Sequence, residues 1–303
     1  MLIKVLGSAA GGGLPQINCN CRNCVGARSG DPMLPRRTQS SLAVSGNGAA
    51  WTLLNASPDL RQQIAATPAL WPAAAAGPRA SPVAAVCLTN ADVDHIAGLL
   101  SLREGIAFGL YAANSVLEAL DANPIFKVLD RSIVATTTMP LDRELPIAGD
   151  LTVTAFAVPG KVALYLESGA ADFGTRTGDT VGLKICEPRT GAAFFYIPGC
   201  AAVDAGLSSR VRGSPLVLFD GTLYTDDEMI VQGLSTKTGQ RMGHIAMAGP
   251  HGSMAAFKPL GVRRRVFVHM NNSNPALRQG SPERAEVEGA GWEIAWDGME
   301  IEL

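Results

Sequence analysis

The chain has 303 residues, 47% of them hydrophobic and 17% charged, a composition too apolar and too weakly charged for intrinsic disorder. Basic residues number 25 and acidic ones 27, leaving a net charge of −2. With no Lys/Arg run beyond Arg263-Arg264-Arg265, a surface built to grip nucleic acid is excluded. No stretch approaches the roughly 20 apolar residues that span a bilayer, so no membrane span is expected. The opening Met1–Gly7 lacks the long apolar region and cleavage site of a secretory signal. A soluble, cytoplasmic protein is expected.

In chain order, short apolar runs alternate with helix-like stretches. Strands are predicted at Leu2–Leu6, Ser41–Ser45, Ala50–Leu54 and Val83–Leu88, several too uniformly apolar to have one wet face. Helices are predicted at Pro58–Ala66, with Ser57 as N-cap, and at His95–Leu102 and Asn114–Ala122. Pro68–Pro82 reads as a surface connector. Strands follow at Gly109–Ala112, Leu151–Val158, Val181–Cys186, Ala192–Ile197, Pro215–Phe219 and Arg265–His269. The Gly/Ser/Thr-rich stretch Gly160–Thr180 has the length of a functional lid. Helices close the chain at His251–Lys258 and Ser281–Ala290, and Asp297-Gly298 between Trp292–Trp296 and Met299–Leu303 is a hairpin signal. Strands at both ends and polar residues at strand ends point to two sheets covered by helices, one α/β sandwich domain over residues 1–303.

Several of these segments carry chemistry. Gly7-Ser8-Ala9-Ala10-Gly11-Gly12-Gly13 lacks the lysine and helix start of a phosphate loop and is expected to turn the first strand sharply. Cys19, Cys21 and Cys24 then form C-x-C-x-x-C, a spacing at which three thiolates can face one tetrahedral Zn²⁺. The setting that a redox pair needs is absent. The fourth ligand must be distant; His269 leads, with Asn272 then only orienting the loop, but His269 is equally claimed by a second constellation. Isolated Cys87, Cys186 and Cys200 are expected as buried, inert thiols.

That constellation begins where the Val83–Leu88 strand runs into Thr89-Asn90-Ala91-Asp92-Val93-Asp94-His95. Asp92, Asp94 and His95 are potential metal ligands, and carboxylates so close repel unless a cation or proton lies between them. The alternative makes Asp94 an N-cap and His95 a first-turn residue. Further on, Asp220 and His269 each end an apolar strand. His244 and His251 lie beside glycines, either lining the site or on the surface. No G-x-S-x-G elbow supports serine-hydrolase chemistry.

The N-x-D-x-D-H sequence after a strand resembles the H-x-H-x-D-H metal loop of the metallo-β-lactamase superfamily. Asn90 and Asp92 stand where the first two histidines would be, while Asp94 and His95 match. Asp220 and His269 fall at that superfamily's bridging aspartate and final histidine; its mid-chain histidine has no counterpart, since none lies between residues 96 and 243. These departures harden the site toward oxygen-preferring metals. The wider set of Gly7–Gln16, Cys19–Cys24, Thr89–His95, Pro159–Glu167, Asp220–Thr222, Met242–His244 and His269–Pro275 is similar to the pyrroloquinoline quinone biosynthesis protein B family.

The resemblance implies a metallo-β-lactamase-like αββα sandwich working in the synthesis of pyrroloquinoline quinone (PQQ). It implies a non-haem iron-dependent oxygenase that hydroxylates the tyrosine of a Glu- and Tyr-bearing precursor peptide. Asp92, Asp94, His95, Asp220 and His269 would then hold active-site Fe²⁺ or another divalent metal, and the cysteines a structural Zn²⁺. His244 or His251 would orient substrate or move a proton, and arginines would bind the precursor's carboxylates. The implied partners are a small peptide or amino-acid-derived substrate and other PQQ biosynthesis proteins. Two alternatives stay open: a carrier of PQQ or its precursor that assists transport to the periplasm, and a metal-dependent hydrolase, against which the missing histidines count.

Overall fold

The computed structural model describes residues 1–167 and 178–303; residues 168–177 of the expected Gly160–Thr180 lid lie outside the described residues. One sheet contains β1 (Leu2–Gly7), β2 (Ser41–Ser45), β3 (Trp51–Leu54), β4 (Val83–Cys87), β5 (Phe108–Ala112) and β6 (Val134–Thr138). The other contains β7 (Glu144–Ile147), β8 (Leu151–Ala157), β9 (Val181–Glu187), β10 (Ala192–Ile197), β11 (Leu216–Asp220), β12 (Arg264–Val268) and β13 (Glu293–Ile294). The last strand, β14 (Glu300–Glu302), returns to the first sheet beside β1. Each sheet is antiparallel at one end and parallel at the other: β3 to β6 run parallel in the first, and β10 to β13 in the second.

Two-residue periodicity builds the layers. Leu216 and Leu218 of β11, with Val266 and Val268 of β12, join the core that also holds Ile3, Leu42 and Val86 of the first sheet. Val217, Phe219 and Phe267 point the other way into a second core beneath the helices. There Phe267 stacks on Trp292 with ring centroids 4.0 Å apart. The helices are α1 (Arg22–Ser29), α2 (Leu60–Ala66), α3 (Val93–Ile96), α4 (Asn114–Ala122), α5 (Ala205–Val211), α6 (Glu228–Val231), α7 (Gly239–Met242), α8 (Ser253–Phe257) and α9 (Pro282–Gly289). The architecture is the metallo-β-lactamase-like sandwich. Among the described residues no helix is long and apolar enough to cross a membrane.

Several expectations need correction. The terminal hairpin does not form: β13 pairs with β12 while β14 pairs with β1, so Asp297-Gly298 carries the chain from one sheet to the other. A turn signal reports only a reversal of direction, and here a long-range pairing captured each arm. Ser57 does not cap α2 through its hydroxyl, which bonds Gln63 Oε1 at 3.1 Å; the cap position is Asp59. The predicted helix His95–Leu102 is one α turn followed by a 3-10 stretch, Ala97–Leu102. Gly98 explains the tightening: its N–H bonds Ala56 O at 2.8 Å, and a Cβ there would sit 2.1 Å from Ser57 O. β6, β7, α1 and α5 escaped the sequence reading. β6 is threonine-rich and mostly exposed, and β7 carries Pro146, features of sheet edges that leave no apolar period.

The crossing at Asp297 ties distant segments together. Its carboxylate accepts from Ser8 N and Oγ (3.0 and 2.7 Å) and from Thr38 N and Oγ1 (2.6 and 2.8 Å). Buried Arg37 beside it donates to Ser8 Oγ and to the Ala295 carbonyl. Removing the carboxylate orphans several donors and leaves a buried cation without its counter-charge. Asp297→Ala is therefore expected to cost about 2–4 kcal/mol of stability, read from urea unfolding. A loss below about 0.5 kcal/mol, the range of an ordinary surface change, would refute this role.

Candidate metal centre

The centre lies at the carboxyl ends of parallel strands, where open α/β sheets expose loops suited to ligands. β4 runs out into the loop that bears Asp94 and His95, β11 ends in Asp220, and His269 follows β12 directly. α3 is fixed from behind, since Ala56 N–H bonds the His95 carbonyl at 2.7 Å. His269 has φ +57°, a left-handed conformation unusual for a residue with a side chain. Its neighbour Met270 is clamped by the N-terminal segment, with Met270 N to Ser8 O at 2.9 Å and Ala10 N to Met270 O at 2.8 Å. The glycine stretch thus does more than turn the chain: a Cβ on Gly11 would lie 3.4 Å from Asp94 Cγ, so its bare backbone forms part of the wall.

Two overlapping groups of donors result. Asp94, His95 and His269 form one, and Asp220, His244 and His269 the other, with potential ligand atoms within 4.8 Å of one another in each. His269 Nε2 lies 3.0 Å from Asp94 Oδ2, and its Nδ1 lies 2.8 Å from Thr222 Oγ1. His244 Nδ1 lies 2.7 Å from Asp220 Oδ2, which also accepts from Cys200 N at 2.9 Å. Thr222 Oγ1 is 2.7 Å from Asp220 Oδ1. The rings of His244 and His269 stack at 5.4 Å, and that of His95 meets His269 edge-on at 5.3 Å.

Charge alternates through this group. Burial opposes ionisation of Asp94, but His95 and His269 outweigh it and hold its carboxyl below the usual range. Asp220 is likewise lowered against its burial, chiefly by His244. His269 is raised despite burial by its bond to Asp94. His95, mainly through burial, is pushed down to about 4 and is therefore neutral near pH 7. Its Nε2 is buried without any hydrogen-bond partner. An unpaired imidazole nitrogen facing carboxylate and histidine donors is what a bound cation would satisfy, so the residues fit a divalent metal.

The other expected residues are placed as follows. Asp92 joins neither group: its Oδ2 accepts from Asn90 Nδ2 at 2.7 Å, and burial, then Asp94, raises its carboxyl to about 6. His251 is exposed in the turn before α8 and also joins neither, so its expected place in the site is not met. A glycine beside a histidine carries no information about which way the loop faces. Cys19, Cys21 and Cys24 come together as a buried trio. His269 does not face them. Instead Asn272 Nδ2 lies 3.1, 3.5 and 3.3 Å from their sulfurs, a role beyond the loop orientation expected of it. Cys21 also caps α1, its sulfur accepting from Cys24 N.

Residues not singled out from the sequence complete the surroundings. Thr222 bridges Asp220 to both histidines, and the Asp220-Gly221-Thr222 motif was its available signal. Lys161 and Arg241 both bond Glu167, at 2.9 and 3.2 Å, and hold its carboxyl down at about 2. Tyr165 donates to Ala91 O at 2.9 Å, and Tyr165, Leu164 and Val93 are all exposed. Glu228 braces the loops from below, accepting from Tyr224 N at 2.7 Å and from Ser273 Oγ.

Burial raises Glu228 to about 7. The folded protein thus holds a proton there that the unfolded chain releases between about pH 4.5 and 7, so this group's contribution to stability falls as pH rises through that window. Urea midpoints of wild type and Glu228→Gln at pH 5 and pH 8 should differ in slope, the variant losing less stability toward pH 8. Equal slopes would exclude a shifted Glu228.

Residues 50–270 match the family model described as the Beta-lactamase superfamily domain. The chain is 52% identical over 304 residues to coenzyme PQQ synthesis protein B of Gluconacetobacter diazotrophicus, covering 98% of each. It is 53% identical over 308 residues to the protein of the same name from Rhodopseudomonas palustris, covering 99% of each. It superposes on crystalline Zn²⁺-bound PqqB from Methylobacterium extorquens with a TM-score of 0.97 at 50% identity, over 100% of both chains. A diphosphatase of the PhnP family, 19% identical with a TM-score of 0.68 over 100% and 96% of the two chains, shares the fold alone.

Proposed function

The chain belongs to the coenzyme PQQ synthesis protein B family, within the metallo-β-lactamase superfamily, and on that premise we propose that it is a non-haem iron-dependent oxygenase of PQQ synthesis. Its reaction would hydroxylate the tyrosine ring of a Glu- and Tyr-bearing precursor peptide or a fragment of one, in the cytoplasm. The observation that carries this reading is the set of oxygen and nitrogen donors, with His95, Asp220 and His269 buried, Asp94 and His244 half-buried, and His95 Nε2 unpaired. Mixed carboxylate and imidazole donors suit Fe²⁺. Bound iron would supply the one-electron steps by which dioxygen reacts.

Each hydroxylation replaces a ring C–H by C–OH; the second oxygen atom leaves as water, using two electrons and two protons from a small external reductant. The protein's own part is to hold and orient. Asp94 and Asp220 bring negative charge that lowers the centre's affinity for anions, and Thr222 fixes the rings of His244 and His269. Tyr165, Leu164 and Val93 offer an apolar flank for an aromatic ring. Lys161 and Arg241, both paired with Glu167, would receive a substrate carboxylate.

A structural zinc is proposed separately for Cys19, Cys21 and Cys24, whose sulfurs share the Asn272 amide. The M. extorquens relative is Zn²⁺-bound.

Anaerobic loading with Fe²⁺, then addition of a Glu-Tyr peptide, ascorbate and O₂, should add 16 mass units per hydroxylation. Asp220→Ala should lower that rate at least about 100-fold. Stoichiometric binding of finished PQQ with no turnover under any metal would favour a carrier instead. Cleavage of ester or phosphodiester probes, lost in Asp220→Ala, would favour a hydrolase.

Metal analysis tests the second centre. Cys21→Ser should lose about one zinc per chain and melt earlier, since structural zinc contributes folding energy, while binding of added Fe²⁺ persists. Unchanged zinc content would remove the cysteine trio as its site.

A further inference from the structure

On the reading that the donor cluster is a metal centre, we propose that Asn90 and Asp92 are not ligands but a positioning relay: they fix the tautomer of His95 and so turn its bare Nε2 toward the centre. Three contacts carry the argument. Asn90 Nδ2 lies 2.7 Å from Asp92 Oδ2, Asp92 N lies 3.1 Å from Asn90 Oδ1, and His95 Nδ1 lies 2.6 Å from the same Oδ1.

The direction of each bond follows from what its partner can do. An ionised carboxylate only accepts, so the amide nitrogen must face Asp92. A backbone N–H only donates, so the amide oxygen must face Asp92 N. Asn90 is thereby oriented twice over, by two groups of one residue. Its oxygen has no hydrogen to offer, so His95 Nδ1 must carry the proton. A neutral imidazole has one N–H; with Nδ1 protonated, Nε2 presents a lone pair. That atom is buried with no partner and lies 3.8 Å from Asp94 Oδ2. Thr89 Oγ1, the other group near Nδ1, is more distant at 3.4 Å and already accepts from Asn55 Nδ2 at 2.9 Å.

Metal-bound histidines commonly donate their second N–H to a carboxylate, which fixes ring and tautomer. Here an amide is interposed, so the sequence runs carboxylate, amide, imidazole. Asn90 is only 5% exposed, so water does not compete for these bonds. The relay also gives Asp92 work that accounts for its absence from both donor groups.

The test reads the ring directly. Full-length protein labelled with ¹⁵N-histidine and freed of active-site metal is examined by two-bond ¹H–¹⁵N correlation, the His95 signals being those missing in His95→Gln. Wild type should show a protonated Nδ1 and a bare Nε2. Asn90→Leu, which keeps the volume and loses the acceptor, should shift the ring toward the Nε2–H form and raise the Co²⁺ dissociation constant about 10–100-fold. Asn90→Asp, which keeps an acceptor for Nδ1–H, should retain the wild-type ring pattern, a rescue that a purely packing role does not predict. An Nε2–H form in wild type overturns the relay whether or not the variants fold. So does Asn90→Leu with unchanged ring signals and Co²⁺ affinity. Failure of wild type to bind Co²⁺ would instead overturn the metal reading beneath it, and the ring signals are scored apart from it.

Discussion

Asp94 and Asp220 are carboxylates taken largely out of water, and burial opposes their charge, so each must find partners among the imidazoles that meet there. Asp94 sits between two imidazoles, and Asp220 faces His244. The arrangement leaves one nitrogen unsatisfied, on His95, at the point toward which the carboxylates face. A cluster of this kind is held together by its own electrostatics, yet it is incomplete without a cation. The sandwich serves that end by running its parallel strands out at one edge, so that residues more than a hundred positions apart become neighbours.

Much of this was legible in the sequence because strand ends leave a local signature. Asp220 and His269 each follow an uninterrupted apolar run, and β11 and β12 lie where those runs predicted them. The cysteine spacing likewise fixed three neighbours in advance. What escaped were properties that depend on partners far along the chain. The arms of the Asp297-Gly298 turn look alike locally, but one completes the second sheet and the other the first. Edge strands β6 and β7 bury too little to show a period. His251 and His244 both sit beside glycine, and only the folded loops separate the buried-side residue from the exposed one.

The departures from the superfamily's histidine loop are equally informative. On that pattern Asp92 was an expected ligand, and Asn90 stood where another histidine would be. In the fold they bond to each other and to His95. Asn272 shows the reverse: expected only to steer a loop, it faces all three thiols. It lies three positions after His269, so the cysteine trio and the donor cluster share one short loop.

The donor cluster straddles both sheets. Asp94 and His95 hang from β4 of one, and Asp220 and His269 from β11 and β12 of the other, with Val86 and Val268 among the side chains packed between them. The distance between ligands is therefore a readout of how the two layers sit on each other. A slip of the interlayer core, far from any polar group, would move donors apart without touching them. The apolar interior acts here as the jig that sets the spacing of the jaws.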